Sequence, residues 1–403
     1  MFMSHSVIWL VISTLALAAG AALTWWLHRF QGLSLQMTPA AGGGGPTGPT
    51  GPTISVIVPA RNEARNIGRC VSALLAQTYP SFEVIVVDDR STDATADILA
   101  GLALEGQANG GGRAGQLRII AGEPLPSGWA GKPHALAQGV TAARGEWLCF
   151  VDADTFARPT LLADAYATAQ AERADLFSIL TSQQLGTFWE KVVMPVVFSA
   201  LAFGFPPQYV NDPHRPEAIA NGQFILIRRG VYEAVGGHGA LRASLVEDKA
   251  LAEAVKHAGY RLLLADGRHL AETRMYTSLA ELWEGWTKNM FLGLQGRPWL
   301  LLIGAVTSLT GALVLPGWLL ASLAWLAAGG GLPAALVCLE SLVVWALVLR
   351  ARAEVARAME LSPWYALTFP LGTLLFAGML LASTVRVVSG RGVVWKGRTY
   401  ANR

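Results

Sequence analysis

Hydrophobic positions along this chain follow two different patterns. Toward the ends they come in long blocks: Val7 to Leu27 carries no charge, and Trp299–Ala328, Leu332–Leu349 and Trp364–Val385 carry only Glu340 among them. A helix needs roughly 17–25 apolar residues to cross a bilayer, so each block is long enough to span one. A secretory signal has a shorter apolar stretch behind basic residues, whereas Met1 to Ser6 holds no Lys or Arg. The first block is therefore expected to be an uncleaved anchor. Gly329, Gly330 and Gly331 followed by Pro333 mark a turn between the first two C-terminal blocks. Pro316 and Pro370 make the outer two candidates for kinks or re-entrant segments.

From Ile54 to about Tyr276 the apolar residues come instead in short β-rich runs separated by helical stretches. Ile54–Val58, Glu83–Val87, Leu117–Ala121 and Trp147–Val151 read as buried parallel strands. Helices are predicted between them at about Glu63–Gln77, Asp93–Leu104 and Lys132–Ala143. Such alternation implies an α/β fold with right-handed βαβ crossovers, whose ligands bind beyond the carboxyl ends of the strands. Pro39 to Pro52 reads as a Gly/Pro-rich tether, and Gly106 to Gly115 as a loose surface loop.

Composition adds limits. With 52% hydrophobic and 15% charged residues and a mean hydropathy of +0.39, the chain is neither disordered nor an ordinary soluble enzyme. The 31 basic and 28 acidic residues leave a net charge of +3 with no dense basic run, so no nucleic-acid partner is expected. Cys70, Cys149 and Cys338 lie far apart without CxxC spacing, which argues against a disulfide framework or a zinc site. Basic residues near block ends orient membrane segments. The charge-free N-terminal tail favours the outside, while Arg29 onward and the loop bearing Arg350, Arg352 and Arg357 favour the cytoplasm. If the last block spanned, the tail with Arg386, Arg391, Lys396, Arg398 and Arg403 would lie outside, against the rule. Either one C-terminal block is re-entrant or the two assignments conflict.

The α/β region lacks a GxGxxG after a strand, a complete P-loop, HExxH and GxSxG. Dehydrogenase, P-loop ATPase, zincin and serine-hydrolase chemistry are excluded on that ground. Its strand ends carry acids: Pro59-Ala60-Arg61-Asn62-Glu63 after the first, Asp88-Asp89 and then Asp93 after the second, and Asp152-Ala153-Asp154 after the fourth. Adjacent carboxylates repel and call for a cation or a donor-rich ligand. Residues two apart in an extended segment point the same way, so Asp152 and Asp154 can address one object. Hard oxygen donors of this kind suit Mg²⁺ or Mn²⁺ bound together with phosphates. Asp93 reads first as the cap of the helix that follows it.

Five segments in order carry a resemblance: Val56 to Glu63, Val86 to Asp93, Gly131-Lys132 with Ala135-Leu136, Asp152-Ala153-Asp154 and Val246-Glu247-Asp248. Together they resemble family 2 glycosyltransferases of the GT-A (nucleotide-diphospho-sugar transferase, Rossmann-like) fold. Within that family, the flanking membrane segments, Pro126 to Lys132 and the tail Trp395 to Tyr400 resemble bacterial hydroxycarotenoid and hopanoid-associated lipid glucosyltransferases. The resemblance implies five regions: an N-terminal transmembrane anchor (1–28), a Gly/Pro-rich linker (29–53), a GT-A catalytic domain (54–276), an interfacial amphipathic helix (277–298) and a C-terminal membrane region with a basic tail (299–403). It also implies roles. Pro59, Ala60 and Glu63 would border the uracil and ribose, and Asp88, with Asp89 beside it, would accept from the uracil ring. Lys132 would reach the diphosphate, unless it is only a surface lysine at a helix start. Asp152 would hold the ribose or sugar, and Asp154 the metal, with Asp152 as a second candidate ligand. Asp248 would be the base, its proton affinity raised by Glu247; the alternative is that the two acids simply open a helix.

Leu279, Leu282, Trp283, Trp286, Met290 and Leu294 recur at helical spacing. They suggest either a helix lying in the headgroup layer, with Trp283, Trp286 and Lys288 on the acceptor side, or an ordinary helix packed on the sheet. Val192 to Phe205, broken by Pro195 and too short to span, reads as core or as a dip into the bilayer. Processive relatives carry Q-x-x-R-W near this point, and the corresponding Trp286-Thr287-Lys288-Asn289-Met290 does not match it. His134, His238, His257 and His269 are expected at the surface or in loops. The expected activity is therefore inverting, metal-dependent transfer of one hexose, glucose from UDP-glucose, to a hydroxyl of a membrane lipid such as a carotenoid or hopanoid. The expected setting is a bacterial cytoplasmic membrane, with a multi-pass chain whose catalytic domain faces the cytoplasm. Ceramide, diacylglycerol or polyprenyl phosphate are alternative acceptors. A transporter with a nucleotide-binding domain is a distant alternative, because Glu340 is the only charge within the C-terminal blocks.

Overall fold

The computed structural model describes residues 35–37, 51–108, 116–293, 298–389, 393–395 and 398–400. The expected anchor, most of the tether, the greater part of the Gly-rich loop and several basic residues of the tail lie outside these residues.

The centre is an eight-stranded sheet formed by β1 (Leu35–Gln36), β2 (Ile54–Ala60), β3 (Phe82–Asp88), β4 (Leu117–Ala121), β5 (Trp147–Phe150), β7 (Leu176–Leu180), β9 (Ile225–Arg228) and β10 (Leu262–Asp266). Its order is β1-β10-β7-β9-β5-β2-β3-β4. β6 (Thr155–Ala157), β8 (Ser182–Gln183) and β11 (Ala271–Thr273) form a small second sheet. All neighbours in the main sheet are parallel except β9, which runs antiparallel to both β5 and β7. The four expected strands and the crossover helices α1 (Ile67–Leu75), α2 (Thr95–Ala108) and α3 (Gly131–Ala142) are present. Three expectations change. β4 is a half-exposed edge rather than a buried strand. The linker expected over 29–53 supplies β1, which pairs with β10 at the opposite edge. The sheet is also not wholly parallel.

Period-two alternation explains how the sheet fills both faces. Val56, Val58, Val84 and Val86 point to one side, where they pack with Ile67, Cys70, Val71 and Leu74 of α1, Leu99 of α2 and α4 (Leu161–Ala171). Ile57, Ile85 and Val87 point to the other, onto Ala135 and Leu136 of α3 and onto Leu251, Ala252 and Val255 of α6 (Glu247–His257). Here α5 denotes Phe188–Gly204. A Cβ on Gly139 would sit 2.4 Å from Ile57 Cγ2, so glycine is what lets α3 press onto β2. Cys70, Cys149 and Cys338 are free and buried.

A third core joins the catalytic region to the apolar blocks. Val193, Met194 and Val197 of α5, Leu282, Trp286 and Met290 of α7 (Leu279–Gly293), Leu301 and Ala305 of α8 (Pro298–Leu309), and Phe376, Met379 and Leu380 of α11 (Phe369–Val388) pack together. α9 (Leu315–Ala327) and α10 (Gly331–Ala358) form a hairpin across the glycine turn. Trp299–Ala327, Gly331–Ala358 and Pro363–Arg386 are long and apolar enough to cross a membrane, and so is Phe188–Asn211, which extends the shorter Val192–Phe205 run at both ends. Their outer faces expose Leu302, Ile303, Val306, Leu320, Leu339 and Leu342, a surface too apolar for water. Pro316 leaves a π-helical turn at Thr310–Val314, since its ring and missing N–H disrupt the preceding turn. Pro370 instead sits in the first turn of α11, where it causes no kink. Arg350, Arg352 and Arg357 belong to the last turns of α10 rather than to a loop.

Candidate active site

The ends of β2 and β3 turn sharply, and their loops are stitched together. Asn62 and Arg90 adopt left-handed φ values of 53° and 58°. The Asn62 side chain accepts from the Thr92 N–H at 2.8 Å, and Arg61 Nη1 donates to the Asp89 carbonyl at 2.6 Å. Asp93 accepts from the Thr95 N–H at 3.0 Å and the Ala64 N–H at 3.1 Å. Burial works against its carboxylate, but these bonds, with one from the Thr95 hydroxyl at 2.6 Å, outweigh burial and hold the carboxyl below the ordinary range, so Asp93 acts at the helix start. Pro59, Ala60, Glu63 and Asp89 line the main cavity, of about 1760 Å³. Asp88 does not line it; its Oδ1 accepts from the Ser91 N–H at 3.1 Å.

Lys132 rises from the first turn of α3 to the centre of the site. Its Nζ lies 2.6 Å from Asp152 Oδ1 and 2.7 Å from Glu247 Oε1, tying the end of β5 to the start of α6. Asp248 follows Glu247 in that first turn, with Oδ2 accepting from the Gly222 N–H at 3.1 Å and Oδ1 from the Lys249 N–H at 2.7 Å. A side chain at 222 would collide with this arrangement, since a Cβ there would lie 2.9 Å from Asp248 Oδ2 and 3.1 Å from Lys132 Nζ.

Electrostatics sort the acids. Burial works against the Glu247 carboxylate, which is 5% exposed, yet the Lys132 ammonium outweighs burial and holds it below the ordinary range. Burial raises Asp152, and the charges of Glu247 and Glu63 add to it despite Lys132. Burial, then the neighbouring Glu247 charge, pushes Asp248 up to about 6. Burial also works against the Lys132 ammonium, but the three surrounding carboxylates keep it firmly protonated. One lysine thus faces Asp152, Glu247 and Asp248, with Asp154 lining the same cavity.

A divalent cation would offset that surplus. Asp152 and Asp154 are two oxygen-donor side chains, too few for a closed cage, and no cluster of three or more His, Cys, Asp or Glu suited to a metal occurs among the described residues. This donor set fits Mg²⁺ or Mn²⁺ when phosphate oxygens and water complete the shell.

The structure corrects the reading of His238. It is 1% exposed behind the site, its ring edge-on to Phe150 at a centroid distance of 4.9 Å. Tyr232 Oη accepts from the His238 backbone N–H at 2.9 Å and shares a second hydrogen bond, also of 2.9 Å, with His238 Nδ1. Burial holds the imidazole neutral by lowering its pKa to about 4. His238 borders a second void of about 10 Å³ shared with Lys132, Glu247 and Asp248. His134 is likewise buried. No periodicity marked His238, whereas the Asn221-Gly222 pair before β9 was a visible turn signal.

The acceptor-side residues divide. Trp286 is buried, its ring centroid 6.2 Å from that of Tyr276 and its Nε1 3.3 Å from Met194 Sδ. Trp283 packs against Gly378 of α11 and does not line the cavity, whereas Trp286 and Lys288 do. α7 is therefore a packed helix, wedged against α5 and α11 rather than lying on the sheet. The cavity runs from Lys132 and Asp248 to Phe203, Ile303 and Phe376 of the apolar helices.

A nearly parallel sheet with a lysine-centred carboxylate cluster at its strand ends has the architecture of the GT-A fold. Residues 55–236 match the sequence profile of Glycosyl transferase family 2, so the chain carries a family 2 glycosyltransferase domain. The 4,4'-diaponeurosporenoate glycosyltransferase of Staphylococcus aureus (strain USA300) is 27% identical over 312 residues, which cover 75% of this chain and 76% of that protein. The mannosyltransferase PcManGT from Pyrobaculum calidifontis, solved in complex with GDP-Man and Mn²⁺, shares 18% identity with a TM-score of 0.52, covering 95% of this chain and 98% of its own. At that identity the likeness extends to the fold.

Proposed function

We propose that the protein transfers a single hexose, glucose from UDP-glucose, to a hydroxyl of a membrane lipid of carotenoid or hopanoid type, with inversion at the anomeric carbon. The observation that carries this reading is the continuity of one cavity from Asp248 and Lys132 to the apolar helices. A lipid can present its polar end to Asp248 while its body stays among nonpolar side chains.

In this reading Pro59, Ala60, Glu63 and Asp89 border the nucleoside, while Asp88 shapes the loop. Asp248, titrating near 6, is ionised at neutral pH and basic enough to take the acceptor proton as the oxygen attacks. Attack opposite the leaving diphosphate inverts the centre. Lys132 stands where its charge offsets that developing on the leaving group. Asp154, with Asp152, would hold Mg²⁺ or Mn²⁺, which when bound supplies further positive charge to the diphosphate.

The membrane arrangement follows from α10. Its end beside the catalytic domain, where Arg268 Nη1 donates to the Ala358 carbonyl at 3.1 Å, also carries Arg350, Arg352 and Arg357. With this basic end on the cytoplasmic side, as the positive-inside rule favours, the domain faces the cytoplasm in this reading. α11 is flanked by α5 at Gly372, α7 at Ser383 and α8 at Gly304. A re-entrant α11 keeps the basic tail on the same side.

The test incubates detergent-solubilised protein with Mg²⁺ or Mn²⁺, labelled UDP-glucose and a bacterial lipid extract. Label should enter the organic phase, vanish on chelation and fall by about 10²–10⁴-fold in Asp248→Asn. Failure to bind any nucleotide sugar would overturn the reading. The name of the Staphylococcus relative favours a second reading, in which a carboxylate oxygen is the nucleophile. A carboxylate arrives deprotonated and needs no base, so Asp248→Asn would then retain most of its activity.

A further inference from the structure

A cluster of uncharged polar side chains lies beside Asp248, and no step above uses it. Thr181 and Gln183, at the exit of β7 and in β8, and Asn221 and Gln223, on either side of Gly222, all line the main cavity. Their mutual hydrogen bonds determine which end of each amide points where. Asn221 Nδ2 donates to the Ile179 carbonyl at 3.0 Å, so that atom is the nitrogen. The same nitrogen meets the Gln223 side chain at 3.2 Å, which must therefore present Oε1. Gln223 Oε1 also accepts from Gln183 Nε2 at 3.4 Å and from the Thr181 hydroxyl. Gln183 Nε2 reaches Thr181 Oγ1 as well, at 3.1 Å.

With its oxygen engaged by three donors, Gln223 is locked, and its Nε2 has no hydrogen-bond partner among the described residues although the side chain is only 5% exposed. Gln183 is the converse: its nitrogen is engaged, and Oε1 is left as an acceptor. Both free ends reach the solvent of the cavity, where fixed amide groups without protein partners are open to a ligand's hydrogen bonds. The cluster contains no charge, so it suits neither a phosphate nor a cation. A fixed N–H donor paired with a fixed oxygen acceptor instead matches hydroxyl groups, each of which can donate and accept.

We propose that Gln223 and Gln183, held by Asn221 and Thr181, form the subsite for the hydroxyls of the hexose being transferred and help decide which hexose is accepted. Gly222 links this subsite to the base, since its N–H holds Asp248 Oδ2 at 3.1 Å. The inference rests on the nucleotide-sugar reading above, and deepens it.

The experiment is calorimetric titration of the detergent-solubilised full chain and its Gln223→Leu and Gln183→Leu variants with Mn²⁺ present. UDP is compared with UDP-glucose, and GDP with GDP-mannose. Each variant should bind the hexose ester about 3- to 10-fold more weakly relative to the bare nucleotide than the wild type does, the loss of roughly one hydrogen bond, with affinity for the bare nucleotide unchanged. If one variant fails to fold, the other decides. An unchanged ratio, or a change confined to the KM of the lipid acceptor, overturns the subsite. A wild-type protein that binds no nucleotide in either series overturns the donor reading itself, which is a distinguishable failure.

Discussion

Gly222→Ala is the smallest change that separates the position of the base from its chemistry. Position 222 does not need glycine for its backbone, because its φ is not in the left-handed region. The alanine also keeps the N–H that donates to Asp248 Oδ2 at 3.1 Å. Only the new methyl matters. It would stand 2.9 Å from Asp248 Oδ2, 3.1 Å from Lys132 Nζ and 3.4 Å from Asp248 Cβ. Non-bonded heavy atoms settle at about 3.5 Å or more, so the carboxylate and the ammonium must each retreat by roughly 0.5 Å. Catalytic groups must be held to within about 0.5 Å of their productive positions, and a full ångström costs about 100-fold. Label transfer from UDP-glucose to lipid should therefore fall by roughly 10- to 100-fold. Binding of uridine, which in this reading depends on the ends of β2 and β3 rather than on Lys132, should stay within about twofold. Wild-type turnover in Gly222→Ala would refute the claim that the Gly222–Asp248–Lys132 contact sets the base.

Two other changes test the electrostatics and the frame. Burial and the Glu247 charge together lift Asp248 to about 6, and a base works only when deprotonated, so kcat/KM should rise with pH through that value. Glu247→Gln removes the repulsion but not the burial, and should shift this acidic limb to lower pH; a limb that stays put or moves up contradicts the assignment. Lys256 Nζ donates to the carbonyls of Val210 at 2.7 Å, Glu217 at 2.6 Å and Tyr209 at 3.2 Å, clamping the segment that leads to Gly222. Lys256→Met should cost about 2 kcal/mol and lower the apparent melting temperature in detergent by a few degrees, with an unchanged melting curve as the contrary result.

Much of this was legible in the residues themselves. Ile54–Ala60 and Phe82–Asp88 are nearly continuous β-branched runs because both faces of the sheet are covered, and that composition announces a parallel strand wherever it sits. The apolar blocks declare themselves by length, and Asp152-Ala153-Asp154 and Glu247-Asp248 by their place at a strand end and a helix start. These are local signals, carried by spacing and by chemistry within a few residues. What remained hidden depends on partners far away in the chain. β9 is too short for its sequence to reveal that it inserts antiparallel between β5 and β7. His238 looks like any loop histidine until Tyr232 and Phe150 close around it. Trp286 reads as interfacial until Met194 and Tyr276 cover it. Nor does anything near Lys132 say that it stands between Asp152 and Glu247, or that Asp89 rather than Asp88 lines the cavity. Periodicity specifies which face of an element is buried. Which neighbour buries it is decided only when the whole chain packs, because close packing and charge pairing act through space rather than along the sequence.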